Sequence, residues 1–173
     1  YGVMAACGDT VYMGYYGDRS MITYSISQEE FTNGCSYNTY YRYYGSAVYP
    51  GSGDFVYMFY GANRSSNMWK FSLSQGKYTE LMQTPFRMAG GQKACYPGSG
   101  NLIYVLRGGQ SKELWAYNFV NDTWNQLADA PLRIYYGSQL DGDNTTLYVC
   151  QGRDTDYSST DDYSYAFMKY TIA

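Results

Sequence analysis

Large apolar and polar side chains alternate along this chain in short runs, and each run is bounded by glycine, proline, serine or asparagine. A period of two over about four to eight residues is the mark of a β-strand. The clearest runs are Phe55-Val56-Tyr57-Met58-Phe59 and Leu102-Ile103-Tyr104-Val105-Leu106. Each follows the same pentapeptide, Tyr49-Pro50-Gly51-Ser52-Gly53 and Tyr96-Pro97-Gly98-Ser99-Gly100. Two shorter copies, Thr10-Val11-Tyr12-Met13 and Thr146-Leu147-Tyr148-Val149-Cys150, flank them. Tyr12, Tyr57, Tyr104 and Tyr148 therefore fall 45, 47 and 44 residues apart. Long runs of helix-favouring Ala, Leu, Glu and Lys are absent, and the pattern predicts an all-β protein.

The segments that follow repeat as well. Met68-Trp69-Lys70-Phe71-Ser72-Leu73 aligns with Leu114-Trp115-Ala116-Tyr117-Asn118-Phe119, and the spans 22–26 and 163–167 are expected to fill the same slot in the outer copies. A further aromatic comes seven residues on, from Tyr24 to Phe31, Phe71 to Tyr78 and Tyr117 to Trp124. Each unit of about 46 residues reads as four short antiparallel strands. One such sheet cannot bury both faces by itself, so neighbours must stack, and radial stacking as a β-propeller leaves only short edges. The expected blades are 1–41, 42–86, 87–132 and 133–173, making 1–173 a single propeller domain or part of one.

The third copy carries the fullest pattern: Ile103-Tyr104-Val105-Leu106-Arg107-Gly108-Gly109, then Trp115-Ala116-Tyr117, Thr123-Trp124 and Pro131-Leu132-Arg133. These residues resemble the kelch-repeat family, and the resemblance extends over nearly the whole chain. Other copies depart from it, with Tyr16-Gly17, Tyr60-Gly61 and Gln151-Gly152 in place of the glycine pair, and Phe31 and Tyr78 in place of Trp124. The resemblance implies a kelch-like β-propeller. The first copy begins near its first strand and the fourth stops near its third. The ring is therefore not expected to close by exchanging terminal strands, and the edge near Phe167–Ile172 is expected to meet another chain or segment. A first residue of tyrosine rather than methionine points to a processed protein or a fragment.

Composition narrows the function. Of 173 residues 24 are tyrosine and 19 glycine, which suits pleated surfaces and turns and argues against disorder. A net charge of −3 with no Lys/Arg run gives no nucleic-acid surface. No apolar stretch is long enough to span a membrane, and no targeting segment is visible. Histidine is absent altogether, which removes Ser-His-Asp and Cys-His catalysis and His-based metal sites from this chain. Copper oxidases built on kelch-like propellers need histidine ligands, so the resemblance does not extend to them. No enzyme activity and no cofactor are expected. A carboxylate-based hydrolase stays as an alternative, given 15 Asp and Glu.

Arg42, Arg87 and Arg133 recur before successive copies and are expected on one face near the axis. Their forked donors suit an anion or carboxylate, although the same place also serves to staple the turn between blades. Tyr43, Tyr44, Tyr135 and Tyr136 stand beside them and join the candidate binding set, each with an apolar body and a polar tip. Trp69, Trp115 and Trp124 occupy repeat slots and are expected to pack between blades. Asp154, Asp156, Ser158 and Asp161 gather oxygen ligands that calcium would accept, but they lack the glycine and final glutamate of an EF-hand loop, and a solvated acidic loop has the same composition. Cys7, Cys35, Cys95 and Cys150 show no Cys-x-x-Cys spacing; Cys7, Cys95 and Cys150 read as small core residues, with disulfides open if the chain is secreted. Sequons at Asn63, Asn121 and Asn144, all in expected turns, favour an extracellular glycoprotein. The leading expectation is a non-catalytic, extracellular binding or structural module that contacts a protein or glycan and builds into a larger assembly. An intracellular kelch-type adaptor is the rival.

Overall fold

The computed structural model describes residues 2–15, 20–36, 45–59, 65–152 and 166–172, and all regular structure among them is β-strand. The first sheet holds β1 (Gly2–Cys7), β2 (Thr10–Tyr15), β3 (Ser20–Ser25) and β4 (Glu30–Ser36). The second holds β5 (Ser46–Val48), β6 (Phe55–Phe59), β7 (Met68–Ser72) and β8 (Lys77–Glu80). The third holds β9 (Lys93–Cys95), β10 (Leu102–Leu106), β11 (Leu114–Asn118) and β12 (Thr123–Gln126). The fourth has three strands, β13 (Gln139–Gly142), β14 (Thr146–Cys150) and β15 (Phe167–Thr171). Each is an antiparallel meander in chain order. The first strands adjoin one another, β1 beside β5, β5 beside β9 and β9 beside β13, so four blades are arranged as a β-propeller.

One backbone hydrogen bond fixes the equivalence of the blades. Ile26, Leu73, Phe119 and Ile172 each donate an N–H to the carbonyl just before the second strand, at Asp9, Asp54, Asn101 and Thr145, over 2.8, 2.8, 3.1 and 2.8 Å. In the first two blades the same residue adds its carboxylate. Asp9 accepts from Ser27 N at 2.8 Å, and Asp54 from Ser74 N at 2.7 Å. The Ser27 hydroxyl at Asp9 and the Ser72 hydroxyl at Asp54 lead in holding both carboxyls below their ordinary range. The recurring pentapeptide is a turn with its own latch: Tyr49 Oη donates to the Gly53 carbonyl and Tyr96 Oη to that of Gly100, both over 3.2 Å. Its glycines at 51, 53, 98 and 100 all have positive φ, which explains why the pentapeptide recurs unchanged.

The core lies between blades rather than inside any one of them. Val3, Ala5 and Met21 of the first blade meet Val56, Met58 and Phe71 of the second. Tyr57, Phe59 and Met68 of the second meet Ile103, Val105 and Tyr117 of the third. Tyr104, Leu106 and Leu114 of the third meet Leu140, Leu147 and Val149 of the fourth. Residues on both faces of β6 and β10 are thus buried, which is why those strands read as unbroken apolar runs. Burying each such side chain stabilises the fold by roughly 1.5–3 kcal/mol. The aromatics in the repeat slots belong to these cores: Phe86 lies 5.0 Å from Trp115 and 5.5 Å from Trp124, and Tyr117 lies 5.0 Å from Trp124, between ring centres.

The third strand of the last blade is displaced from the expected span. It runs over Phe167–Thr171, pairing Cys150 with Phe167 and Tyr148 with Lys169, instead of over 163–167. The stretch 163–167 alternates large and small side chains, which is why it is the expected span, but alternation alone does not fix the register. The choice falls on the one that turns Met168 into the core beside Val149 and Leu147.

Candidate functional site

Because every blade is a meander, the propeller has two ends. At one lie the turns β1–β2, β5–β6, β9–β10 and β13–β14 together with β3–β4, β7–β8 and β11–β12, joined by the backbone bonds just described. At the other lie the turns linking blade to blade and the connections between second and third strands. Arg87 and Arg133 both fall in linking turns, β8–β9 and β12–β13, and both are exposed. Arg42, Tyr43 and Tyr44 lie outside the described residues, as do Asn63 and the acidic loop with Asp154, Asp156, Ser158 and Asp161.

The backbone beneath the two arginines is held by neighbours. Arg107 Nε donates to the Arg87 carbonyl over 3.3 Å. Ile134 N donates to Ser111 O and Gln110 N to Ile134 O, each over 2.9 Å, which ties the Arg133 turn to the third blade. The residue that staples a linking turn is therefore Arg107, which the sequence pattern did not single out as a site. Arg107 also pairs with Glu113, whose other oxygen accepts from Trp115 Nε1 at 3.0 Å. Burial works against ionising Glu113, but the Trp115 N–H and the Arg107 guanidinium outweigh it and hold its carboxyl below the usual range. Lys112 Nζ donates to the Pro131 carbonyl over 2.8 Å, so a second cation caps the other linking turn, that of Arg133.

The two described tyrosines of the candidate set part company. Tyr135 is buried, and its N–H donates to Gln151 O over 3.0 Å, so it is a packing residue. Tyr136 is 43% exposed, and its ring lies over Gly90 of the preceding linking turn, where a Cβ would come within 2.0 Å of it. Deeper in, wholly buried Gln92 accepts from Ser46 Oγ at 3.2 Å, and Ser138 Oγ donates to Gly91 O at 2.6 Å. These bonds tie second blade to third and third to fourth. The end therefore presents two exposed arginines on turns whose backbone is held, with one tyrosine face beside them, an arrangement that can hold an anionic or hydroxyl-rich surface.

Asn121 and Asn144 are exposed at the opposite end, in turns β11–β12 and β13–β14. Among the described residues no three of His, Cys, Asp or Glu converge as metal ligands, and no helix is long and apolar enough to cross a membrane. Cys7, Cys95 and Cys150 are free thiols. Burial pushes the Cys95 thiol up to about 12 and that of Cys7 up to about 11, while Cys150 is exposed. In the folded protein at mildly alkaline pH, iodoacetamide is expected to modify Cys150 while Cys7 and Cys95 react only on denaturation; peptide mass mapping at successive times checks the order.

A solved structure described as that of YjhT superposes on this chain with a TM-score of 0.71 at 15% identity, over 86% of this chain and 56% of that one. One described as that of U3-55K superposes with a TM-score of 0.58 at 10% identity, over 88% of this chain and 46% of that one. At such identities the likeness establishes the propeller fold alone, and the chain spans about half the length of each of these structures. No protein-family model and no curated protein sequence matches it.

Proposed function

We propose that this four-blade propeller, kelch-like in its repeat, is a non-catalytic module of an extracellular protein that holds a protein or glycan partner at the end bearing the linking turns. The observation that carries this reading is the pair Arg87 and Arg133, exposed at matching turns over a backbone fixed by Arg107, Ser111 and Gln110. Holding the backbone lowers the freedom lost on binding, and the planar guanidinium fork matches a carboxylate, which favours carboxylate-bearing ligands. The exposed sequons at Asn121 and Asn144 sit at the far end, so glycans there would leave the binding end open.

Binding to an immobilised panel of neutral and uronic-acid oligosaccharides tests this. Arg87→Ala and Arg133→Ala are each expected to lower affinity for the acidic members about 10- to 100-fold, the worth of a charge-assisted hydrogen bond, without changing circular dichroism. Equal binding by the variants refutes the reading. The rival, an intracellular adaptor, draws support from the free thiols, which a reducing compartment would preserve. Expression through a secretory pathway separates the two: glycans mapped to Asn121 and Asn144 favour the extracellular reading. The outer edge of β15, where the other blades carry a fourth strand, supports the further proposal that it pairs with another chain or with a further segment.

A further inference from the structure

The third blade gives the ring of Tyr136 a fixed seat. Gly90, which lies beneath the ring, has no left-handed φ, so its backbone would accept any L-residue. A Cβ there would nevertheless stand 2.0 Å from Tyr136 Cε1, 2.5 Å from Cζ and 2.7 Å from Cδ1. The glycine at 90 is therefore explained by the ring rather than by the conformation of its own turn. Two further glycines clear the backbone that carries the ring. A Cβ on Gly91 would meet Tyr135 O at 2.1 Å and Tyr136 N at 3.3 Å, and one on Gly152 would meet Tyr136 O at 2.6 Å.

Hydrogen bonds close the seat. Tyr135 N donates to Gln151 O over 3.0 Å, Ser138 N to Tyr135 O over 3.3 Å and Ser138 Oγ to Gly91 O over 2.6 Å. The segment around Tyr136 is thus bound both to its own blade and to the third, yet Tyr136 itself stays exposed. Beside it, at Gly137, a Cβ would meet nothing within 4 Å, so the space there is open. Arg133 lies three residues before Tyr136, and Arg87 three residues before Gly90. The contact of ring and glycine therefore joins the two turns that present the arginines. Leu132 is the other exposed large apolar side chain of residues 127–139.

We propose that Tyr136 is a stacking platform for a pyranose ring, and that the occupant of this end is an acidic glycan whose uronic-acid residues lie on the tyrosine and turn a carboxylate to the arginines. The proposal deepens, and rests on, the reading that the end with the linking turns is the binding end. A tyrosine ring offers a flat apolar face to the C–H bonds of a sugar. A ring seated before the ligand arrives loses little freedom on binding, and the planar guanidinium fork matches a carboxylate. The hot spots of protein interfaces sit instead in fully desolvated, well-packed pockets, and Leu132 alone does not build one around Tyr136. Gly90 is a positioning residue, acting through the ring that it seats.

Calorimetric titration of the whole chain with galacturonic-acid oligosaccharides, with their methyl esters and with a glutamate-rich peptide tests this. Tyr136→Ala is expected to weaken binding of the acid oligosaccharide about five- to tenfold, and Tyr136→Phe, which keeps the ring, to leave it within about twofold. Gly90→Ala is expected to act like Tyr136→Ala, because it displaces the ring and alters no group that meets the sugar. The displaced atoms are the far end of a rotatable side chain, so this variant is expected to keep its fold, which circular dichroism checks. In the Tyr136→Ala background, Gly90→Ala is expected to change neither affinity nor Tm further, a coupling that general destabilisation would not give. The methyl esters keep the sugar ring and lose the charge, so their binding is expected to respond to Tyr136→Ala and not to the arginine variants. Acid oligosaccharide binding that Arg87→Ala and Arg133→Ala weaken, but Tyr136→Ala and Gly90→Ala do not, overturns the platform and leaves the binding end standing. Binding that depends on Tyr136 and on neither arginine keeps the platform and removes the arginine pair. Tighter binding of the peptide than of either sugar, indifferent to Tyr136, overturns the glycan as occupant, and a folded wild type that binds neither sugar overturns the proposal outright.

Discussion

Truncating Phe59 to alanine is expected to lower the unfolding free energy by about 3–5 kcal/mol, a large share of the roughly 5–15 kcal/mol that holds a typical domain together. Phe59 is wholly buried where the second blade meets the third, with Trp124 edge-on at 6.3 Å and Met68 opposite it across the β6–β7 pair. Alanine there removes a ring from a site lined by two different sheets, and neither can collapse into the gap without shifting its own strands. The loss should therefore include a cavity term as well as the lost burial. Phe31→Ala supplies the contrast, because the same side chain lies exposed on the first blade. In the monomer it is expected to change stability by no more than roughly 0.5 kcal/mol. Urea unfolding followed by tryptophan fluorescence measures both; equal shifts for the two variants would refute a core located between blades.

Gly108→Ala is expected to be nearly as damaging, at about 2–5 kcal/mol, for a reason that has nothing to do with burial. Gly108 has φ +72°, and a Cβ on it would stand 2.4 Å from Gln92 N and 2.7 Å from the Ala89 carbonyl oxygen. Both are backbone atoms, so no side-chain rotation relieves the overlap, and the linking turn around Gln92 must move. That turn carries the bond from Ser46 that joins the second blade to the third, so the damage is expected to spread across the interface. Gly53 has φ +85°, and a Cβ on it would meet nothing within 4 Å. Gly53→Ala therefore meets only the conformational strain, about 1–2 kcal/mol. Thermal unfolding of the two variants side by side separates steric from conformational cost.

The repeat in the sequence carries much of this architecture. The spacing of Tyr12, Tyr57, Tyr104 and Tyr148 places the second strands, and the doubled Tyr-Pro-Gly-Ser-Gly segment marks turns that latch through their own tyrosine. These features are local: they depend on alternation, turn chemistry and sequence distance, all of which a chain displays before it folds. The aromatic slots around Trp115 and Trp124 were legible as packing for the same reason, since a side chain recurring at blade spacing meets its neighbour's equivalent at every interface.

Other features were decided only in three dimensions. Alternation pointed to 163–167 for the last strand, but β15 runs over Phe167–Thr171, in the register that buries Met168 against Val149 and Leu147. Tyr135 and Tyr136 are adjacent and identical in sequence, yet one is buried and the other covers Gly90, because only the path of the linking turn sets which side each faces. Arg107 reads as a strand-end residue until folding brings it to the Arg87 carbonyl and Glu113. Strand period and turn residues act over a few positions, so the order of residues is enough to make this chain a stack of small sheets. Which faces of the sheets are covered depends on distances between residues far apart in the chain, and those are set only when the blades pack together.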